Sequence, residues 1–348
     1  GNLYCWGKNN YGQAGTETAD YFDEPLKVGE RNDWTGVSTG SYHSCGIAGG
    51  ELFCWGYNHN GQVGDGTYTD RHIPVKIGER NDWQTISTGS YHSCGIAGGE
   101  LFCWGDNYNG LIGDHTVTET KINTPLKIGT GIDWEKIESE GFSNCGIAGG
   151  ELFCWGSNTY GQVGDGSTEN RKNPVRIGTD SNWNKLSLGI NYSCAQADDN
   201  IFCWGTNPLI FYNNYNRSTP QKIGTINTWE KISAGKHICG ISEGDLYCWG
   251  STNNNGELGT GDTNPVAVEK RITFNGGWTD ISVVGNSSCG INNSERYCKG
   301  SGIGFFTKAD DKTGWKSIVM GITHSCGIIN DELFCWGKNN YGQLGNGT

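Results

Sequence analysis

The sequence predicts an all-β chain of about seven radial blades, each made of four short antiparallel strands. Three observations predict it. A pair of cysteines nine residues apart recurs seven times along the 348 residues. A tryptophan opens each unit (Trp34, Trp83, Trp134, Trp183, Trp229, Trp278 and Trp315) at intervals near 49 residues, with the last shortened to 37. No stretch carries a convincing 3.6-residue periodicity, and glycines punctuate the chain every three to eight residues. Short strands at this even spacing suit radial blades better than a sandwich.

The cysteine pair sets the register of each unit. The pairs are Cys45–Cys54, Cys94–Cys103, Cys145–Cys154, Cys194–Cys203, Cys239–Cys248, Cys289–Cys298 and Cys326–Cys335. Midway between the partners sits a two-residue turn, Gly49-Gly50 in the first unit and Asn330-Asp331 in the last, mostly of residues that tolerate positive φ. Counting outward, Ala48 faces Glu51, Ile47 faces Leu52, Gly46 faces Phe53 and Cys45 faces Cys54. In such a hairpin the cysteines form a non-hydrogen-bonded pair, with Cα atoms roughly 4.5 Å apart, close enough to bridge. One disulfide per hairpin follows. Seven pairs of buried free thiols are the alternative, and zinc knuckles space their cysteines more tightly.

The rest of each unit follows in order. In the first unit the strands are expected near Trp34 to Ser38, Ser44 to Ala48, Glu51 to Trp55 and Pro74 to Ile77, where apolar and β-branched residues alternate with small or polar ones. All 14 tryptophans fall at two repeat positions, before the glycine of Cys-Trp-Gly or at the start of a unit. A residue that recurs in nearly every unit is explained first by packing between blades. Chain 1–348 therefore reads as one domain of repeats.

The motif as a whole resembles a known family. Cys54-Trp55-Gly56-x-Asn58-x-x-Gly61-Gln62-Val63-Gly64-Asp65-Gly66-Thr67, then Pro74-Val75-Lys76-Ile77, then Ile86-Ser87-x-Gly89-x-x-His92-Ser93-Cys94, is similar to the regulator-of-chromosome-condensation repeat. The similarity covers essentially the whole chain, and the cysteine pairs mark a disulfide-rich, secreted type. The resemblance implies a seven-bladed β-propeller of four-stranded antiparallel blades. It implies less about activity, because that fold hosts nucleotide exchange factors, enzyme inhibitors and adhesive modules.

The two ends carry the same strand. Leu3-Tyr4-Cys5-Trp6-Gly7-Lys8-Asn9-Asn10-Tyr11-Gly12-Gln13 returns as Leu333-Phe334-Cys335-Trp336-Gly337-Lys338-Asn339-Asn340-Tyr341-Gly342-Gln343. Eight such strands are present where seven blades need seven. The last unit lacks a Pro-x-Lys-Ile strand, which Glu24-Pro25-Leu26-Lys27-Val28 is expected to supply in closing the ring. Cys5 is the odd one of 15 cysteines, either free or paired with another molecule. A segment of a longer chain, or a strand exchanged between neighbours, is favoured over a free thiol.

Composition excludes several classes. A net charge of −12 argues against a phosphate backbone as partner. No apolar run is long enough to span a bilayer, so membrane insertion is not expected. Fifteen cysteines at disulfide-compatible positions imply an oxidising compartment. Asn191, Asn216, Asn286, Asn292 and Asn346 head Asn-x-Ser/Thr sequons, in a chain rich enough in asparagine for chance matches.

Chemistry has little foothold. His43, His92, His237 and His324 sit two residues before the first cysteine in four of seven units, but Ser143, Tyr192 and Ser287 fill that place elsewhere. Local hydrogen bonds that fix the strand explain them better than a metal. The Gly-Gln-x-Gly-Asp-Gly loops lack the Lys-Ser/Thr of a phosphate loop and the alternating carboxylates of a calcium loop. No Gly-x-Ser-x-Gly or His-Glu-x-x-His is present, and no catalytic residue, metal or cofactor is expected. Two units abandon the Gly-Gln-x-Gly loop and place aromatics there instead: Phe211, Tyr212 and Tyr215 in one, Phe305 and Phe306 in the other. These are the candidate binding residues. Local packing in a decayed repeat explains them about equally well. The reading is a non-enzymatic secreted or cell-surface scaffold for protein partners, adhesion or self-assembly into a surface structure. A guanine nucleotide exchange module, or a glycan-binding or enzyme-inhibiting propeller, is the alternative.

Overall fold

The computed structural model describes residues 1–348 except 17–20, 130, 207–215, 235–236, 251–252, 255, 273–275, 300–304 and 322. Every regular element among the described residues is a strand. A ribbon of two strands, β1 (Tyr4–Lys8) and β2 (Tyr21–Lys27), comes first. Blade 1 follows as a meander of β3 (Trp34–Thr39), β4 (His43–Ala48), β5 (Glu51–Gly56) and β6 (Arg71–Lys76). Blades 2 to 6 repeat it over 83–128, 134–176, 183–223, 229–271 and 278–313, and blade 7 (315–337) has three strands. The seven disulfide-bearing sheets are the blades of a β-propeller.

The hairpin register is the one that the turn residues dictate. Ala48 pairs with Glu51, Ile47 with Leu52, Gly46 with Phe53 and Cys45 with Cys54. Both turn residues adopt positive φ (Gly49 58°, Gly50 77°), as do their non-glycine counterparts Asp198, Asp199, Asn330 and Asp331. All seven disulfides form, with Cα atoms 4.1 Å apart. A register shift follows the opening tryptophan of every blade, the local twist that a bulge produces.

The core lies between blades. The Cys45–Cys54 bridge, Ile47 and Leu52 of blade 1 pack against Trp83, Ile86 and Trp104 of blade 2, and the same arrangement joins blades 2 and 3 and blades 3 and 4. Each sheet is thus covered on one face by the previous blade's hairpin and on the other by the next blade's tryptophans. Burial of that apolar area is the main driving force for closing the ring. A backbone clasp recurs beside it. The Thr88 amide donates to Ser38 Oγ (3.0 Å), Ser139 to Ser87 (2.8 Å), Val283 to Ser233 (2.8 Å) and Met320 to Ser282 (3.0 Å).

One expectation needs correction. The Glu24–Val28 segment does not complete blade 7: β2 pairs with β1, and both twin strands are kept. Blade 7 accordingly stays three-stranded, and the ribbon is inserted as a partial blade between blades 7 and 1. Trp6 Nε1 donates to Gln343 O (3.0 Å) and the Gly347 amide to Asp23 O (2.7 Å), while Trp55 Nε1 of blade 1 donates to Gln13 O (2.9 Å) of the ribbon. The ends of the chain therefore meet within one molecule. Cys5 is the free cysteine; burial pushes its thiol up to about 11.

Candidate binding surface

Chain direction sorts the connections onto two faces. The turns between first and second strands and the loops between third and fourth strands share one face; the two-residue hairpin turns occupy the other. On the hairpin-turn face, Arg31 bridges Asp33 (2.7 Å) and Glu51 (2.9 Å), donates to Ala48 O and lies 5.0 Å over the Phe53 ring. Arg80, Asp82, Glu100 and Phe102 repeat that latch one blade on. These groups satisfy one another.

The loop face is different, because it gathers rings. Tyr42 in the β3–β4 turn stacks on Tyr91 of blade 2 (6.3 Å, 29°), and Tyr91 meets Phe142 of blade 3 (6.3 Å). Tyr11 from the ribbon loop packs edge-on against Tyr42 (5.6 Å) and Tyr57 (5.1 Å), and Tyr57 carries His59 at 4.7 Å. Lys8 Nζ lies 5.9 Å from the Tyr42 ring and 5.8 Å from Tyr341, within cation–π range. Tyr42, Tyr57, Tyr91 and Phe142 are half-buried, while Tyr108 (79 % exposed) and Ile190 (61 %) stand free around them. Burial, then the nearby Asp70 carboxylate, raises the Tyr57 hydroxyl above its ordinary range. The rings are therefore amphipathic and anchored on stapled strands.

Of the aromatics expected from the sequence, Phe211, Tyr212 and Tyr215 lie outside the described residues. Phe305 is 48 % exposed, but Phe306 is only 2 % exposed. Its position follows from a substitution in its own blade. Lys299 stands where Cys-Trp-Gly elsewhere has tryptophan. In blade 2 that tryptophan, Trp104, fills a slot against Gly64, where an added Cβ would come within 2.6 Å of the indole. For blade 6 the equivalent glycine is Gly259 of the blade 5 loop, where an added Cβ would come within 2.7 Å of the Phe306 ring instead, and Phe306 packs edge-on against Trp278 (5.5 Å). Phe306 is a replacement core residue. The tyrosine cluster was missed in the sequence, although its signal was there: Tyr42, Tyr91 and Phe142 all fall three residues before the first cysteine.

The histidines also differ from expectation. Their bonds are not local. His43 Nε2 meets Ser93 Oγ at 2.9 Å, His92 Nε2 meets Asn144 Oδ1 at 2.7 Å, and His237 Nε2 meets Ser288 Oγ at 2.5 Å, each about 50 residues away in the next blade. Ser93 in turn donates to Gln62 O (2.9 Å), which also accepts from Trp104 Nε1 (2.9 Å). Burial pushes His43 down to about 3 and His92 and His237 to about 4, so all three are neutral at pH 7. His324 makes no such bond among the described residues, because the ribbon that follows blade 7 has no second strand to offer a partner. No group of three or more metal-binding side chains exists among the described residues.

The family model for the Regulator of chromosome condensation (RCC1) repeat matches residues 1–47, 49–96, 149–196 and 330–348. Those four segments are similar to RCC1 repeats. Solved RCC1-like propellers match the whole fold. Human WBSCR16 aligns over 100% of this chain and 92% of its own, at 18% identity and TM-score 0.71. Prp20p from Saccharomyces cerevisiae, whose structure was reported with its binding to Gsp1p and histones, aligns over 100% and 83%, at 18% identity and TM-score 0.69. Yeast RCC1 (Prp20) in the structure with Kap60 aligns over 85% and 80%, at 18% identity and TM-score 0.59. No curated protein sequence matches the chain.

Proposed function

We propose that this RCC1-like propeller is a non-catalytic scaffold, outside the cell or on its surface, whose loop face holds an extended segment of a protein partner. The observation that carries the reading is the run of rings from Tyr11 through Tyr42 and Tyr91 to Phe142. Tyrosine supplies large contact area at low entropic cost and keeps a polar tip for hydrogen bonds, which is why it dominates recognition surfaces. Rigidity supports the same reading: the turns that present the rings grow from disulfide-stapled strands, so little ordering cost is left for binding. Extracellular placement rests on the seven disulfides, which persist in oxidising compartments.

A displayed library of linear peptides, selected on the oxidised protein, tests the proposal. Wild type is expected to enrich a peptide family that the double variant Tyr42→Ala/Tyr91→Ala loses by about tenfold or more in affinity. Equal enrichment by both proteins would remove the loop face from the account. Binding confined to a glycan array, or acceleration of nucleotide release from small GTPases, would replace the scaffold reading with the lectin or the exchange-factor one.

A further inference from the structure

The joint between blades 7 and 1 leaves apolar surface uncovered. At every other joint the stapled hairpin of one blade packs on the opening strand of the next. Here the ribbon intervenes, and it holds the counterparts of a third and a fourth strand alone. Cys5 pairs with Leu26 as Cys54 pairs with Val75. In blade 1, β5 is paired on both sides, with β4 and with β6, whereas β1 pairs with β2 alone. The inner edge of β1, where a blade carries its second strand, is therefore an open sheet edge among the described residues.

Both walls of this joint are exposed where their counterparts are covered. On blade 7, Leu333 is 53 % exposed, against 0 % for Leu52, Leu101, Leu152 and Leu246. Ile328 and the Cys326–Cys335 bridge are half-buried, whereas Ile47, Ile96, Ile147, Ile241 and Ile291 are at most 3 % exposed. On blade 1, Val37 is 50 % exposed, against 9 % or less for Ile86, Ile137, Ile281 and Ile318, and Trp34 is half-buried. The open surfaces are those that the first two strands of a blade cover elsewhere. A first strand would lie on Leu333 and Ile328, and a second would lie along β1 and against Val37. Every hairpin of that kind in this chain is closed by its own disulfide, so a second copy has none to lend.

We propose that the joint between blades 7 and 1 docks a β-hairpin of a partner protein, whose second strand pairs with the inner edge of β1 and sets a cysteine opposite Cys5. In such strand addition the ladder hydrogen bonds give affinity and the alternate side chains give specificity. Thiol–disulfide exchange seals the pair. The Cys5 thiolate attacks the partner cysteine's sulfur in a mixed disulfide, the new S–S bond forms, and the small thiol leaves with the electron pair, so no oxidant is consumed. The site is separate from the tyrosine face and stands whether or not that face binds a protein.

The probe is a synthetic peptide with the sequence of residues 82–97, its cysteine carried as a mixed disulfide with glutathione. Mixed with the oxidised protein, it is expected to transfer to Cys5, read as one added peptide in the intact mass. Transfer should run at least about tenfold faster than from a scrambled peptide with the same cysteine. Hydrogen exchange in β1 should slow. Cys5→Ser loses the adduct but keeps the slowed exchange, so pairing is read without the bond. Leu333→Lys and Val37→Lys change half-exposed side chains; each should hold its thermal midpoint and lose about tenfold in peptide affinity. Equal rates for the two peptides, unchanged exchange in β1, or full binding by both lysine variants would each overturn the proposal. A dimer of the chain alone that the peptide dissolves would overturn it in favour of a second copy as the occupant.

Discussion

Phe306 and Phe305 are neighbours with opposite expected behaviour. Phe306 fills the slot that a tryptophan occupies in other blades, so Phe306→Ala leaves a cavity against Trp278 and Leu258 and should cost about 3–5 kcal/mol in denaturant unfolding. Phe305→Ala removes a half-exposed ring and should cost less than about 1 kcal/mol. The buried histidines make a second prediction. Their folded pKa values, about 3 for His43 and about 4 for His92 and His237, lie below the ordinary value of roughly 6.5. The unfolded chain therefore binds more protons below pH 6.5. Their contribution is complete above that pH and falls as the pH drops towards 4, by about 1.4 kcal/mol per unit for each histidine. Denaturant midpoints should hold between pH 8 and 7 and drop between pH 6.5 and 5. His92→Gln should reduce that slope. An unchanged slope would show that the inter-blade histidine bonds do not hold the neutral form.

The stapled hairpin is the repeating element, and its stability is partly covalent. Each bridge closes a loop with a sequence separation of 9 residues, for which the chain-entropy model gives about 2.5–3 kcal/mol. Cys45→Ser/Cys54→Ser should lose about that much and expose the joint between blades 1 and 2 first, because the bridge packs directly beneath Trp83 and Trp104. Alkylation of the unreduced protein should add one label by intact mass. That label belongs at Cys5, and it should add slowly near neutral pH and faster as the pH approaches its raised value of about 11.

Across the whole molecule, the ring is closed by contacts far apart in sequence. Segment 338–348 lies on the ribbon as every other third-to-fourth-strand loop described here lies on its next blade, through Trp6–Gln343 and Gly347–Asp23. Deleting 338–348 should speed hydrogen exchange in β1 and β2 while leaving blades 3 and 4 protected, since each joint depends mainly on its immediate neighbours. Light scattering of the intact oxidised chain should give a monomer near its 37.8 kDa mass. A ladder of oligomers would mean that the terminal contacts form between molecules.

Fold class, hairpin register and disulfide pairing were legible in the sequence because each is a short-range property. Alternation over five or six residues, a two-residue turn of tolerant residues and a nine-residue cysteine spacing determine them without reference to neighbouring units. The pairing of Cys45 with Cys54, across from Gly46–Phe53, needed nothing more. Tertiary structure decided everything that passes between blades. Only the ring rotation brings His43 to Ser93 and Tyr42 to Tyr91, places Phe306 in a missing tryptophan's slot and keeps β2 on β1. These partners are tens of residues apart and belong to different units. No local period encodes their meeting, and the free energy that selects it comes from apolar surface buried when one sheet packs on the next.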